Sequence, residues 1–171
     1  MRPLKIVLDP TILVGASAKT VRGVAQCLDM IGRGTIYISS ELWKDTKMLV
    51  AGADKVVRVA KTYNPQKVMK LIDAIEKSPS VQKVDDIKKQ VEYPQNAKEE
   101  KLLNLALQKR TPFVVNRKND RIFTLIEIER KNGKVVLKKY PNTFEGIMSM
   151  IEGMHEEKQR QNKMQSQSQS L

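Results

Sequence analysis

The first fifty residues alternate strand and helix, and that rhythm constrains the fold more than any other feature of the chain. Leu4–Leu8 reads as an apolar strand of the kind buried on both faces of a parallel sheet. Residues 18–31 place Val21, Val24, Ala25, Leu28 and Ile31 on one helical face, ahead of Gly32 and Gly34. "TIYIS" (35–39) is the second strand, and Ser39 or Ser40 then caps a helix through "ELWKDTKMLV". Strand, helix, strand, helix is the pattern of an α/β sheet whose strands run parallel.

The middle of the chain is helical and charged. "DKVVRVAK" and "PQKVMKLIDAIEK" carry apolar residues at three- and four-residue spacing, with Pro65 at a helix start. The stretch from Ser78 to Gln95, punctuated by Pro79 and Pro94, has no clear period. Asn96 can cap a helix "AKEEKLLNLALQKR", and "TPFVVN" gives another short buried strand. From Arg121 onward, residues alternate on both sides of Asn132-Gly133, a strong hairpin signal. Pro141 closes the hairpin, and Thr143 caps a last helix with Ile147, Met150, Ile151 and Met154 on one face. Met148, Met150 and Met154 read as core, with an interaction surface as the alternative. The polar tail from residue 159 reads as disordered.

The chain has 171 residues, enough for one domain with a substantial core. Its single cysteine and single histidine, Cys27 and His155, exclude an internal disulfide and a thiolate or histidine-rich metal cluster. A metal site would have to be carboxylate-built and would favour Mg²⁺ or Mn²⁺. No secretory signal or membrane-length apolar run is present, so the expected setting is cytoplasmic, with no membrane partner. The net charge of +12 favours a polyanionic partner, nucleic acid first, against the plainer reading of a lysine-rich solvated surface.

Three acids stand where a sheet edge could gather them. Asp9 ends the first strand, Asp45 lies early in the helix after the second strand, and Glu99 lies in the first turn of the helix before "PFVV". Each has a structural alternative. Asp45 and Glu99 can complement a helix dipole, and Asp9 can cap a turn.

On these residues the chain resembles the PIN domain family. "IVLDPTILVGA" is similar to the family's opening strand and acid. "GRGTIYISSELWKDTKML" resembles its second block, with Asp45 one and a half helical turns after Ser39. "EEKLLNLALQKRTPFVVNRKND" resembles its third block, with Glu99 on the third acid. The resemblance spans residues 4 to 120 and implies a three-layer α/β sandwich with a central, mainly parallel sheet. Residues 121–158 would add a C-terminal hairpin and helix packed on it, before the tail of 159–171.

The resemblance implies a metal-dependent endoribonuclease acting on single-stranded RNA, with Asp9, Asp45 and Glu99 as catalytic residues holding Mg²⁺ or Mn²⁺. Lys44, Arg117 and Lys118 would contact phosphates. The alternative is a catalytically inactive PIN-like module that binds RNA or a protein partner. An antitoxin-like partner and a homodimer are both open to such a module. Asn116, Arg117 and Lys118 stand where the family ends its last strand in Thr or Ser and, two residues on, a fourth acid. Asp120 is the substitute acid, two places late. An ammonium at Lys118 would pair with Asp9 and Asp45 and replace the metal electrostatically.

Overall fold

The structure, a computed structural model, describes residues 4–14, 29, 34–53, 72–119 and 121–169. Most of the helix expected over 18–31, the helix "DKVVRVAK", Pro65 and Asp120 lie outside the described residues.

The fold is α/β, built on a six-stranded mixed sheet. In chain order the strands are β1 (Leu4–Leu8), β2 (Gly34–Ser39), β3 (Val81–Val84), β4 (Phe113–Arg117), β5 (Phe123–Lys131) and β6 (Lys134–Asn142). Their spatial order is β3-β2-β1-β4-β5-β6. β3, β2, β1 and β4 run parallel, while β5 and β6 are antiparallel additions at the β4 edge. A short 3₁₀ turn, Pro10–Val14, follows β1. The helices are α1 (Ser40–Ala53), a helical stretch over 72–77, α2 (Ala97–Gln108) and α3 (Phe144–Gln169).

Strand alternation splits the core into two clusters, one on each face of the sheet. Ile6, Leu8, Ile36, Ile38, Phe113 and Val115 pack with Trp43 of α1, Ile75, and Phe144 and Ile147 of α3. Val7, Tyr37, Val114 and Ile126 point the other way, onto Leu102, Leu103, Leu105 and Ala106 of α2. The central strands are covered on both sides, which is why they read as apolar runs rather than alternating ones.

The caps lie where the sequence places them. Ser39 Oγ accepts from Leu42 N–H at 3.2 Å, Asn96 Oδ1 from Glu99 N–H at 3.0 Å, and Thr143 Oγ1 from Gly146 N–H at 3.1 Å. The hairpin turns at Asn132 (φ 52°) and Gly133 (φ 75°), the two left-handed residues a type I′ turn requires. Pro141 does not close the hairpin; β6 continues through it to Asn142, pairing Pro141 with Thr124. β6 is the outermost strand, so the missing N–H of Pro141 interrupts no further ladder. Phe123 meets Phe144 edge to face at 5.3 Å, fastening α3 to the hairpin.

α3 also runs further than the sequence reading allows, through Gln169, so the tail expected to be disordered from residue 159 is helical to that point. After Gly153 it contains no Gly or Pro. A polar stretch of Glu, Lys, Gln and Arg readily extends a helix already nucleated by packed turns. Met148 is buried, and Met150 and Met154 pack partly buried against the same cluster. Among the described residues no helix is long and apolar enough to cross a membrane.

Candidate functional site

From β1 the chain steps outward to β2 and β3, then returns to place β4 on the opposite flank of β1. That reversal makes the β1–β4 boundary the topological switch point, and in open α/β sheets ligands gather beyond the strand C-termini at such a point. Asp9 stands there, directly after β1, and it is fully buried. Its own N–H donates to the Val115 carbonyl at 2.9 Å, which binds the end of β1 to β4.

The Asp9 carboxylate accepts four hydrogen bonds. Oδ1 takes the Thr11 N–H at 2.9 Å and the Thr11 hydroxyl at 2.7 Å. Oδ2 takes the Arg117 N–H at 2.9 Å and the Lys98 ammonium at 2.7 Å. Lys98 Nζ donates again to the Arg117 carbonyl at 2.7 Å. Pro10 has a part in this: it offers no N–H, and the tight turn it starts brings Thr11 back onto the carboxylate. Lys98 is the second residue of α2, where the helix dipole disfavours a cation by about 0.3–1 kcal/mol. Its place there is explained by the buried carboxylate it neutralises.

The other expected site side chains have different partners or face solvent. Glu99 is buried, but its Oε1 is 2.5 Å from Lys139 Nζ on β6. Lys139 also lies 4.9 Å over the Tyr93 ring, with its Nζ 3.3 Å from the Tyr93 hydroxyl. Burial alone would depress the Lys139 ammonium, but the Glu99 carboxylate and Tyr93 outweigh it and hold the group above its usual 10.5. Asp45 is exposed on α1, as is Lys44. Lys118 is exposed in the turn after β4, where its N–H donates to the Ile122 carbonyl at 3.0 Å. Arg117 reaches Asp9 and Lys98 through its main chain. The ammonium on Asp9 is therefore that of Lys98, not Lys118.

Among the described residues no three His, Cys, Asp or Glu side chains come together as a metal-ligand group. The fit of a metal at Asp9 is decided by its donors. A carboxylate offers about four lone-pair directions, and here N–H, O–H and ammonium donors occupy four. A divalent ion would need one of those oxygens released and further oxygen ligands beside it. The arrangement does not fit a metal at Asp9.

Lys98 and Thr11 are the site residues that sequence reasoning missed. A lysine at the second position of a helix, against the dipole, marks Lys98 as unusual in the sequence without saying which acid it meets. One residue before Arg117, Asn116 is buried with its Oδ1 lacking a hydrogen-bond partner among the described residues. No family model, curated protein or solved structure matches the chain.

Proposed function

We propose that the chain is a PIN-like module, a three-layer α/β sandwich extended by a hairpin and helix, that binds single-stranded RNA and does not cleave it through a metal at Asp9. The observation that carries this reading is the Lys98–Asp9 pair. The position at which a metal-dependent nuclease would present its central carboxylate is filled by an internal cation at 2.7 Å. The charge at the switch point is satisfied within the chain, so Asp9 serves to join β1, β4 and α2.

RNA as partner is supported by the net charge of +12 and by the exposure of Lys44 and Lys118. Such contacts are to phosphates, so they are salt-sensitive and carry no sequence information. The test is incubation of end-labelled single-stranded RNA with the protein in Mg²⁺, Mn²⁺ or EDTA, with Asp9→Asn alongside. The expected result is retarded, intact RNA in all three conditions. Cleavage that needs metal and is lost in Asp9→Asn would replace this reading with the metal-dependent endoribonuclease.

A further inference from the structure

At the opposite edge of the sheet from Asp9, a cleft of about 640 Å³ opens between the C-terminal end of α2 and the ends of β4 and β5. β4 is five residues long, so this cleft lies more than about 13 Å from the Asp9 edge. Its floor is apolar, formed by Leu107, Pro112 and Ile128, and its rim carries Arg110, Arg130 and Gln108. No acid lines it among the described residues.

Two observations single out the arginines. The first is backbone conformation. α2 ends in a left-handed turn in which Thr111 N–H donates to the Ala106 carbonyl at 2.8 Å and Arg110 N–H to the Leu107 carbonyl at 3.3 Å. The left-handed residue is Arg110, at φ 51°, in the position helices ordinarily give to glycine. A strained non-glycine residue whose side chain lines a cleft is a sign of use for that side chain. The same turn closes the last carbonyls of α2, so the negative end of the helix is capped.

The second is charge pairing. At the Asp9 edge three lysines are taken up by carboxylates, Lys98 by Asp9, Lys139 by Glu99 and Lys101 by Glu41, while Lys118 is exposed. Arg130 instead donates to a neutral partner, Gln90 Oε1, at 3.2 Å. Among the described residues neither Arg110 nor Arg130 is in an ion pair. Two guanidinium groups without counter-charge, on separate elements above an apolar floor, suit a phosphate bearing an organic group.

We propose that this cleft binds the phosphate of a nucleotide between Arg110 and Arg130, with the nucleotide's apolar face on the Leu107–Pro112–Ile128 floor. Single-stranded RNA is the expected source, and that part rests on the RNA-binding reading above. The site is separate from Asp9 and requires no metal.

The test uses the full chain and two variants. Arg110→Gly suits the left-handed turn and so retains the fold, and Arg130→Gln keeps a polar group at an exposed position. Adenosine 5′-monophosphate is titrated into isotope-labelled protein, with adenosine as the phosphate-free control. The expected result is shifts of the Arg110, Thr111 and Ile128 amides with the monophosphate but not with adenosine, and about tenfold weaker binding in each variant. Unmoved amides, or an unchanged response in both variants, would overturn the proposal.

The source is read from fluorescence anisotropy with labelled single-stranded RNA. RNA held in the cleft binds Arg110→Gly about tenfold more weakly, with a salt slope shallower by about 0.7 for each phosphate that the variant no longer neutralises. A monophosphate response with RNA binding unchanged in Arg110→Gly supports the cleft and identifies free nucleotide as its ligand. A monophosphate response in a protein that binds no RNA likewise supports the cleft while refuting the RNA-binding reading.

Discussion

Replacing Lys98 by methionine removes the ammonium while keeping much of the side chain's length and apolar contact. Asp9 would then be a fully buried carboxylate with three donors left, the Thr11 N–H and hydroxyl and the Arg117 N–H. Breaking a buried pair from one side costs about 3–5 kcal/mol. The surviving donors and the 26% exposure of the Lys98 side chain, which lets water approach, place the cost at the low end, about 3 kcal/mol. For a chain of this size that is a fall in Tm of about 6–12 °C. Urea unfolding at neutral pH measures it directly. The double variant Asp9→Asn/Lys98→Met, which also removes the stranded charge, should recover at least about 1 kcal/mol of the loss. A Lys98→Met protein within about 0.5 kcal/mol of the parent would refute the pairing as a stabilising contact.

Two further outcomes follow from other contacts. Asn104, buried on α2, accepts from the Gln90 and Val91 N–H groups at 2.7 and 2.9 Å and donates to the Val91 carbonyl at 3.1 Å. Asn104→Ala should cost about 2–3 kcal/mol and raise amide exchange at Gln90 and Val91, as read by hydrogen exchange. Glu76 accepts from Lys47 at 2.8 Å and from the buried Trp43 indole at 2.9 Å, and it also pairs with Lys83. Lys47, then Lys83 and Trp43, lower its pKa from 4.5 to about 2. A depressed folded-state pKa gives stability that is present above pH 4.5 and lost as pH falls toward 2. Because the carboxylate is partly exposed and screened, Glu76→Gln should cost only about 1 kcal/mol near pH 6 in a urea melt. The difference from the parent should shrink as pH falls below 4.5 and vanish only below about pH 2.

Much of the fold was legible because local rules and global architecture agree in this chain. β1, β2 and β4 are covered on both faces, so they read as short apolar runs, and polar caps at Ser39, Asn96 and Thr143 marked helix starts. β3 was missed because VQKV is an edge strand with one buried residue, Val81, which leaves little periodic signal. The segment after it has no regular secondary structure and is held to α2 by Asn104 and by Gln108, which accepts from Lys88 N–H at 2.7 Å, rather than by any pattern of its own. At the site, Asp9 could be placed at the sheet edge from its position after a buried strand. Its partner could not, because Lys98 lies 89 residues away and periodicity carries no information on which cation meets which acid. Glu99 illustrates the same limit: its first-turn position fits a ligand, a dipole partner or an ion pair equally, and the structure gives it to Lys139.

The most direct test of the account is a titration of the isotope-labelled protein with Mn²⁺, following paramagnetic broadening of individual amides. With Lys98 seated on Asp9, the amides of Asp9, Thr11 and Arg117 should remain as sharp as in a Mg²⁺ control at matched ionic strength. Saturable broadening centred on those three amides would show a metal displacing the lysine and would contradict the account.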